Sequence, residues 1–375
     1  MSATGQEAAD VLYMRRALRL ARRGAGKVSP NPMVGAVLVH QGKVVGEGYH
    51  ARYGGAHAET EALARAGSAA RGATLFVNLE PCVHQGKTPP CVDALIEARI
   101  ARAVVALSDP NPLVAGRGLE RLRQAGIEVT VGVEEASARE LNRGFLTWVK
   151  LHRPFVTLKL AQSLDGRVAL ADGRSRWISS EPARDLVHHL RSESDAVLIG
   201  IGTALIDDPQ LTVRRVAGRS PRRIVLDHAL RLPSSAKLLS PEAPTWILTG
   251  SDAPAARRTT LTELGARVLT LERGRSGHLD LEAALALLAR EGIANLLVEG
   301  GPRLITGLIQ AKLWDRLLLF VAPKLLGGDA LAWLGPLRLG QVAESSDIEI
   351  VRSRRVGPDI LIEVRRSIDT SSVGG

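Results

Sequence analysis

The chain has 375 residues, of which 45% are hydrophobic and 23% charged, a composition typical of globular protein with two or three domains. No apolar run approaches the ~18 residues of a membrane span, which excludes an integral membrane protein. The first ten residues lack the basic and apolar regions of a secretory signal. With only two cysteines, we therefore expect a reducing, cytoplasmic location.

The formal charge of +10 is spread evenly along the chain. Residues 1–150 hold 19 basic and 14 acidic side chains, and the remaining residues hold 30 and 25. Only 3% of the residues are aromatic, so few side chains are available to stack on bases. These features argue against nucleic acid or a membrane as a partner and favour small phosphorylated substrates.

The first part of the chain alternates between helical and strand patterns at short intervals. Glycine, proline and asparagine separate these segments. The predicted elements are a helix over 7–23, strands over 33–40 and 43–47, a helix over 57–66, a strand over 74–79, a helix with Pro90 at its first position, a strand over 103–107, a helix over 118–124, a strand over 128–133 and a helical connector over 134–148. This alternation indicates an α/β domain with a largely parallel sheet.

A new strand begins after Arg153-Pro154, so we place the domain boundary near His152, with domains over 1–150 and 151–375. The second domain alternates again, and no internal repeat is visible. Its predicted strands cover 155–160, 196–199, 223–226, 245–248, 295–298, 317–321, 348–352 and 360–364, and its predicted helices cover 182–191, 281–291 and 304–310.

Four residues of the first domain have the types and spacing of a catalytic zinc site. His57, Cys82 and Cys91 supply three ligands, and catalytic zinc sites usually leave the fourth position to water. His57 and Cys91 lie at predicted helix starts, where the helix dipole lowers the pKa of nearby thiols. Glu59 is placed to carry a proton of the activated water. Zinc nucleobase deaminases show a similar His-x-Glu and Pro-Cys-x-x-Cys pattern, although eight residues separate the cysteines here.

Two other interpretations of these residues remain open. His84, between the cysteines, could complete a structural site with four ligands, or the cysteines could be buried free thiols beside a capping histidine. Glu59 and the helix starts would have no role under either interpretation, which favours the catalytic one.

The long segment between the cysteines resembles the zinc loop of the bifunctional riboflavin-biosynthesis deaminase/reductase family, which more often has Arg in place of Lys87. The resemblance extends from about Val11 to Val364, and the joint order of its motifs is very specific. These motifs are Asn31-Pro32-x-Val34-Gly35, Gly48-Tyr49-His50, Asp109-Pro110-Asn111-Pro112, Gly116-Arg117-Gly118, Lys159-Leu160-Ala161-x-Ser163-Leu164-Asp165-Gly166, Ser175-x-Trp177-Ile178, Gly200-x-Gly202-Thr203, Asp207-Asp208-Pro209-x-Leu211-Thr212-x-Arg214 and Glu299-Gly300-Gly301-Pro302.

The resemblance implies two consecutive reactions. A cytidine-deaminase-like domain would remove the 2-amino group of a diaminopyrimidinone ribosyl 5′-phosphate. A dihydrofolate-reductase-like domain would then use NADPH to reduce the ribosyl group to ribityl. Asn31, His50 and His84 are candidates for orienting the pyrimidine and phosphate, although Asn31 could simply form a turn and His50 could be a solvated loop residue.

The resemblance also implies two sets of contacts in the second domain. The NADPH contacts are Ala161, Trp177, Thr203, Asp207, Gly300, Gly301, Pro302, Arg303 and Leu304. The substrate contacts are Ser175, Arg191, Leu211, Arg214 and Glu299.

The residue chemistry of the second domain is compatible with these roles. The glycine segments at 200–203 and 299–302 follow predicted strands, where free N–H groups at a helix start favour a phosphate. No complete G-x-G-x-x-G is present, which disfavours a Rossmann fold. Arg191 and Arg214 suit a sugar phosphate, but either could be an ordinary ion-pairing arginine. Lys159 and Glu299 could deliver a proton during hydride transfer or form a structural ion pair.

Two competing functions use the same motif. One is an RNA deaminase that flips a base, which the even charge and the scarcity of aromatic residues disfavour. The other is a zinc-stabilised scaffold without chemistry, which replacing Glu59 would distinguish from an enzyme. We expect a homo-oligomer, either a dimer or a tetramer.

Overall fold

The computed structural model describes residues 3–83, 90–111, 114–272, 274, 279–341, 345 and 348–366. The chain divides into two compact units, Met1–Arg153 and Pro154–Gly375. The predicted domain limits, 1–150 and 151–375, divide the chain three residues earlier. No helix within the described ranges is long and apolar enough to cross a membrane.

A five-stranded sheet forms the centre of the described part of the first unit. Its strands are β1 (Gly35–His40), β2 (Lys43–Tyr49), β3 (Thr74–Val77), β4 (Arg102–Val105) and β5 (Glu128–Val131). Their order is β2-β1-β3-β4-β5, in which β2, β3, β4 and β5 run in one direction and β1 runs in the other. β1 is antiparallel to both of its neighbours, so the prediction of a largely parallel sheet holds for four of these strands and fails for β1. Gln41 and Gly42 both have positive φ and form the tight hairpin turn that joins β1 to β2.

Helices cover both faces of this sheet. They are α1 (Ala3–Ala21), α2 (Ala58–Ala66), α3 (Cys91–Glu97), α4 (Arg117–Gln124), α5 (Glu135–Leu141) and α6 (Arg143–Leu151). Leu38 of β1 packs with α2, α3 and α4, whereas its neighbour Val37 packs with α1 and α5. Alternate residues of one strand thus enter two cores, which gives an α/β/α layering.

Two glycines bring α2 into direct contact with β2. A Cβ atom on Gly46 would lie 2.2 Å from the carbonyl oxygen of Ala62, and a Cβ atom on Gly48 would lie 2.2 Å from that of Ala58. No side chain fits at such a distance, so the helix backbone rests on the strand. The first turn of α2, which carries Glu59, therefore has a fixed position.

The described part of the second unit contains a nine-stranded sheet and a separate short pair of strands. The pair is β7 (Arg167–Ala169) with β14 (Leu331–Ala332). The large sheet consists of β6 (Phe155–Ser163), β8 (Ala196–Gly200), β9 (Arg222–Leu226), β10 (Thr245–Gly250), β11 (Arg267–Leu271), β12 (Asn295–Val298), β13 (Arg316–Ala322), β15 (Ile348–Val356) and β16 (Asp359–Arg366). In the order β11-β10-β9-β8-β12-β6-β13-β16-β15, the first seven strands are parallel and the last two run antiparallel to their neighbours.

Helices also cover both faces of the second sheet. They are α7 (Glu181–Glu193), α8 (Ile201–Asp207), α9 (Ala255–Glu263), α10 (Leu281–Arg290) and α11 (Pro302–Gln310). Leu285 and Leu308 bury α10 and α11 on one face, and Ile201 and Leu261 bury α8 and α9 on the other. The neighbouring parallel strands β6, β12 and β8 all end at the same edge, where α/β sheets usually bind ligands.

The structure corrects several predicted elements. Pro90 has extended backbone and precedes α3, whose first residue is Cys91. The predicted connector over 134–148 is two helices, because Asn142 interrupts them and its side chain bonds the backbone of Met33. Helices α8 and α9 and strand β11 were absent from the prediction. In α9 only Leu261 is buried, so its hydrophobic periodicity is too weak to detect.

Candidate active sites in the two units

The three predicted zinc ligands converge in the first unit. His57 precedes α2, Cys82 follows β3 and Cys91 begins α3. The Nδ1 atom of His57 lies 3.2 Å from Sγ of Cys91 and 3.5 Å from Sγ of Cys82. Tetrahedral zinc, with bonds of about 2.0 Å to nitrogen and 2.3 Å to sulfur, would separate these atoms by about 3.5 Å. The donor set therefore fits a zinc ion.

The protonation of the two thiols also suits a cation. Hydrogen bonding from the Cys91 thiol holds the pKa of Cys82 well below its usual range, and the Cys91 backbone N–H donates to Sγ of Cys82 at 3.4 Å. The same bond to Cys82 raises the pKa of Cys91. A zinc ion binding here would displace the shared proton and leave two thiolates. Among the described residues, this is the one cluster of three histidine, cysteine or acidic side chains able to hold a metal.

Glu59 lies in the first turn of α2 and is only 4% exposed. Burial, and after it the charge on Cys82, raises the pKa of its carboxyl to about 7. A carboxyl that titrates near neutral pH can both accept and return a proton, as general acid–base catalysis requires. The position and the chemistry of Glu59 therefore fit a proton carrier beside the ligands.

Asn31 and His50 lie together near the ligands. The Asn31 amide donates to Nε2 of His50 at 3.2 Å, so Nδ1 carries the proton and donates to the carbonyl oxygen of Ala56 at 3.0 Å. The His50 ring meets the His57 ring edge to face at 5.6 Å. Burial lowers the pKa of His50, which keeps it neutral. His50 is thus a buried residue and not a solvated loop residue.

Two buried amides, which the sequence pattern alone does not reveal, hold the segment after Asn31. Asn78 donates to the carbonyl oxygen of Met33 at 2.9 Å and accepts from the N–H of Gly35 at 2.7 Å. Asn142 accepts from the N–H of Met33 at 2.8 Å. For Asn78, the one sequence feature that could have drawn attention to it is its position directly after an apolar strand. His84 and Lys87 lie outside the described residues, so neither the fourth-ligand interpretation nor a substrate contact by His84 gains support here.

The second candidate site centres on a buried ion pair. Arg191 of α7 donates from Nε to one oxygen of Glu299 at 2.6 Å and from Nη2 to the other at 2.9 Å. Burial alone would raise the pKa of Glu299, but the charges of Arg191 and Lys159 hold it below its usual value. Burial also lowers the pKa of Lys159, although Glu299 opposes this effect. Lys159, Arg191 and Glu299 therefore form one charged cluster.

Helix α7 also holds the irregular segment that carries Arg214. Arg191 donates from Nη1 to the carbonyl oxygen of Thr212 at 3.2 Å, and Nδ1 of His188 accepts the N–H of Arg214 at 3.1 Å. Leu211 is buried with a φ of 54°, so the segment adopts an unusual backbone conformation. The Arg214 side chain is exposed, whereas both ends of the Arg191 guanidinium are engaged within the protein. The sequence pattern did not identify His188.

The position of His188 leads to a pH-dependent prediction. Burial and the charges of Arg191 and Arg214 lower its pKa to about 4, against an ordinary value of 6.5. The unfolded chain therefore binds this proton at a higher pH, and stability falls as the pH drops from 6.5 towards 4. The free energy of unfolding lost over this pH range through His188 is about 3 kcal/mol, at 1.36 kcal/mol per pKa unit. Asn in place of His188 keeps an acceptor for the Arg214 N–H but does not titrate.

Chemical denaturation of the wild-type and His188→Asn proteins at several pH values measures this effect. We expect the wild type to lose more free energy of unfolding than the variant below pH 6.5. Parallel pH profiles for the two proteins would contradict the prediction.

The two predicted glycine segments lie side by side after the adjacent parallel strands β8 and β12. A Cβ atom built on Gly301 would lie 3.3 Å from Oγ1 of Thr203. Gly300 precedes this position, and Pro302, Arg303 and Leu304 form the first turn of α11. No side chain caps that helix start, so its N–H groups remain available for a phosphate.

The other predicted contacts lie on β6 or in nearby loops. Ala161 lies two residues after Lys159 on β6, and the carbonyl oxygen of Ser175 accepts the N–H of Ile178 at 3.1 Å. The Trp177 indole is 62% exposed, and the Arg184 guanidinium lies 4.6 Å from its ring centre. Arg176 donates to the carbonyl oxygen of Asp207. The Trp177 loop and the end of α8 are thus tied together.

Family models match both halves of the chain. Residues 8–107 match the cytidine and deoxycytidylate deaminase zinc-binding region, and residues 154–362 match the RibD C-terminal domain. A zinc-dependent deaminase joined to a reductase is therefore the class of enzyme that the folds and sites define. The riboflavin biosynthesis protein RibD of Aquifex aeolicus is 46% identical over 95% of this chain and 98% of its own. The RibD of Escherichia coli is 44% identical over 95% and 99%. The chain belongs to the RibD family of riboflavin biosynthesis.

Solved structures agree with this assignment. The RibD of Acinetobacter baumannii superposes with a TM-score of 0.88 at 38% identity, covering 96% of this chain and 100% of that one. A deaminase/reductase of Thermotoga maritima superposes with a TM-score of 0.85 at 35% identity, covering 96% and 99%. The predicted family and its two folds, cytidine-deaminase-like and dihydrofolate-reductase-like, are confirmed. Zinc is the cofactor of the deaminase half, and NADPH is the cofactor of the reductase half.

Proposed function

We propose that residues 1–150 deaminate 2,5-diamino-6-ribosylamino-4(3H)-pyrimidinone 5′-phosphate. Residues 151–375 would then use NADPH to reduce the ribosyl group of 5-amino-6-(5-phosphoribosylamino)uracil to ribityl. The Thermotoga maritima protein is named as a diaminohydroxyphosphoribosylaminopyrimidine deaminase and 5-amino-6-(5-phosphoribosylamino)uracil reductase, which supports this pair of substrates. The observation that carries the proposal is the convergence of His57, Cys82 and Cys91 beside the buried Glu59.

In the deamination, water replaces the 2-amino group of the pyrimidine, and ammonia leaves. His57, Cys82 and Cys91 hold zinc, which when bound supplies a Lewis acid that lowers the pKa of water. Glu59 accepts one proton from the attacking water and gives it to the ring nitrogen, then accepts the remaining proton of the added hydroxyl and gives it to the departing amine as the carbonyl forms. Burial of Glu59 supports this role because it brings the carboxyl pKa near neutrality.

Two neighbouring side chains are proposed to orient the pyrimidine. Neutral His50 donates a hydrogen bond from its Nδ1–H to the Ala56 carbonyl oxygen, and this bond fixes the ring beside His57. Asn31, bonded to Nε2 of His50, has a second amide proton and a carbonyl oxygen available for the ring edge of the substrate. His84 is proposed as a further contact, on the strength of the sequence resemblance alone.

In the reduction, a hydride from NADPH reaches the ribosyl carbon and a proton reaches the oxygen that this carbon releases. Lys159 is proposed as the proton donor because burial lowers the pKa of its ammonium group, which makes the proton easier to transfer. Glu299 holds Lys159 in place through charge. Arg214, with its exposed guanidinium, is assigned to the substrate phosphate.

The remaining predicted contacts are retained in the proposal with one change of role. Arg191 is expected to act through Glu299 and Thr212, since these groups engage its guanidinium. Ser175 and Leu211 are assigned to the substrate. NADPH is assigned to Ala161, Trp177, Thr203, Asp207 and the segment Gly300–Leu304.

We also propose a cytoplasmic homo-oligomer. The edge strand β15 supports self-association because eight of its nine residues are exposed, including Ile350 at 64%. Exposed edge strands of this kind readily pair with a second chain. Light scattering on the purified protein would give the mass of a dimer or tetramer, and a monomeric mass at micromolar concentration would contradict the proposal.

A comparison of substrates tests the proposed function. Ammonia release is measured with the free phosphorylated diaminopyrimidine and with single-stranded RNA, each at low and high salt. We expect release from the free nucleotide alone and little dependence on salt, because few phosphate contacts are involved. Salt-sensitive release from RNA would instead identify a nucleic-acid deaminase.

A further inference from the structure

Glu80 is a buried carboxylate that the proposed chemistry does not use. It lies between β3 and Cys82 and is only 4% exposed. Among the described residues no ion pair involves it, yet a buried carboxylate is stable only when its oxygens are well satisfied. The groups that satisfy Glu80 therefore indicate its role.

Four backbone N–H groups surround this carboxylate. One oxygen accepts from Asp109 at 3.1 Å and Gly116 at 3.0 Å, and the other accepts from Gly118 at 2.8 Å and Leu119 at 3.4 Å. The donors come from a segment 29 to 39 residues later in the chain, which ends in the first turn of α4. A negative charge at that helix start is also favourable for the helix dipole.

The same segment touches the residue between Glu80 and the zinc ligand. A Cβ atom on Gly118 would lie 2.3 Å from the carbonyl oxygen of Pro81, so the segment lies directly against Pro81. The N–H of Glu80 also donates to the carbonyl oxygen of Leu107, two residues after β4, at 2.9 Å. Glu80 and Pro81 are therefore fixed on both sides, immediately before Cys82.

We propose that Glu80 is a positioning residue of the zinc centre. By collecting four N–H groups it holds Asp109 and residues 116–119 beside Pro81 and thereby sets the position of Sγ of Cys82 relative to His57 and Cys91. The inference rests on the proposed function, in which these three residues hold zinc. Outer partners that orient metal ligands typically affect metal affinity by about 10- to 100-fold.

Glu80→Gln tests the proposal directly. Its amide nitrogen would face two backbone N–H donors, so two of the four hydrogen bonds are lost. Glu97→Gln is the matched control, because Glu97 is an exposed residue of α3 and loses the same charge. Zinc affinity of each full-length protein is measured by competition with a chelator. We expect about a 10-fold or larger loss for Glu80→Gln and no change for Glu97→Gln.

A second measurement separates positioning from general stability. Cobalt(II) replaces zinc, and the thiolate-to-cobalt absorption bands report the geometry at the two sulfurs. We expect Glu80→Gln to shift or weaken these bands in the folded protein. Gly118→Ala, whose Cβ atom would press on the Pro81 carbonyl oxygen at 2.3 Å and on the Glu80 side chain at 3.0 Å, keeps the Glu80 charge; it is expected to do the same and serves if Glu80→Gln does not fold.

Unchanged zinc affinity and unchanged cobalt bands in the variants would overturn the proposal, even if the first unit unfolds at a lower temperature. Failure of the wild-type protein to bind zinc would instead overturn the proposed function. The two failures are therefore distinguishable.

Discussion

Replacing Glu59 by Gln is expected to lower kcat for ammonia release by about 10²- to 10⁴-fold, the usual contribution of a general acid–base group. Gln has the shape of Glu but cannot accept the proton of water. Zinc should remain bound at wild-type stoichiometry, because His57, Cys82 and Cys91 are unchanged. The measurement combines steady-state ammonia release with metal analysis of the same preparation.

Two controls accompany this variant. Glu61→Gln makes the same charge change on α2, where the Glu61 side chain forms an exposed ion pair with Arg65, and should leave ammonia release near the wild-type rate. NADPH oxidation on substrate that is already deaminated should survive in both variants. Retention of both half-reactions in Glu59→Gln would show that the deamination mechanism is wrong and would support a scaffold role for the zinc.

The largest expected loss of stability comes from Glu299→Gln. This change leaves the buried Arg191 without its counter-charge and Lys159 without the neighbouring carboxylate that favours its protonated form. Removing one partner of a buried pair typically costs about 3–5 kcal/mol. We expect the free energy of unfolding of the second unit to fall by about this amount. NADPH oxidation should fall with it while ammonia release persists.

Glu291→Gln is the matched control for the buried pair. Arg267 and Glu291 make a similar two-bond contact, at 2.6 and 2.7 Å, but at the surface. Exposed pairs contribute about 0–1 kcal/mol, so denaturant unfolding should barely distinguish this control from wild type. Equal losses in the two variants would mean that burial does not set the strength of the Arg191–Glu299 pair.

Glu59 and Glu299 show how the surroundings of a glutamate determine its pKa. Burial raises the pKa of Glu59 to about 7, which suits proton transfer. Glu299 is also buried, but Arg191 and Lys159 keep its pKa below the usual value, so it stays a fixed negative charge. The two environments thus leave Glu59 able to exchange a proton near neutral pH and keep Glu299 charged.

The zinc ligands were predictable because the information is chemical and local. Two cysteines, a histidine and a nearby glutamate in a chain with no other cysteines leave few alternatives, and the long loop between Cys82 and Cys91 indicated the family. Most helices and strands were predictable from hydrophobic periodicity. Helix α9 was not, because it buries only one residue. The antiparallel pairing of β1 with β3 depends on a partner that periodicity does not specify.

Glu80 and His188 were beyond the reach of the sequence pattern. Each side chain bonds backbone N–H groups that are 26 or more residues away, and any residue type except proline supplies such a group. No spacing rule therefore marks these partners. For Arg191 the sequence indicated a substrate contact, but only the fold shows that Glu299 and Thr212 already engage its guanidinium.

Metal removal from the purified protein tests the central claim most directly. Ammonia release and NADPH oxidation are followed together on the phosphorylated diaminopyrimidine, with and without a zinc chelator, and NADPH oxidation is also followed on the deaminated intermediate. We predict that chelation stops ammonia release and the NADPH oxidation that depends on it, while reduction of the supplied intermediate continues. Ammonia release that persists after complete removal of zinc would contradict the account.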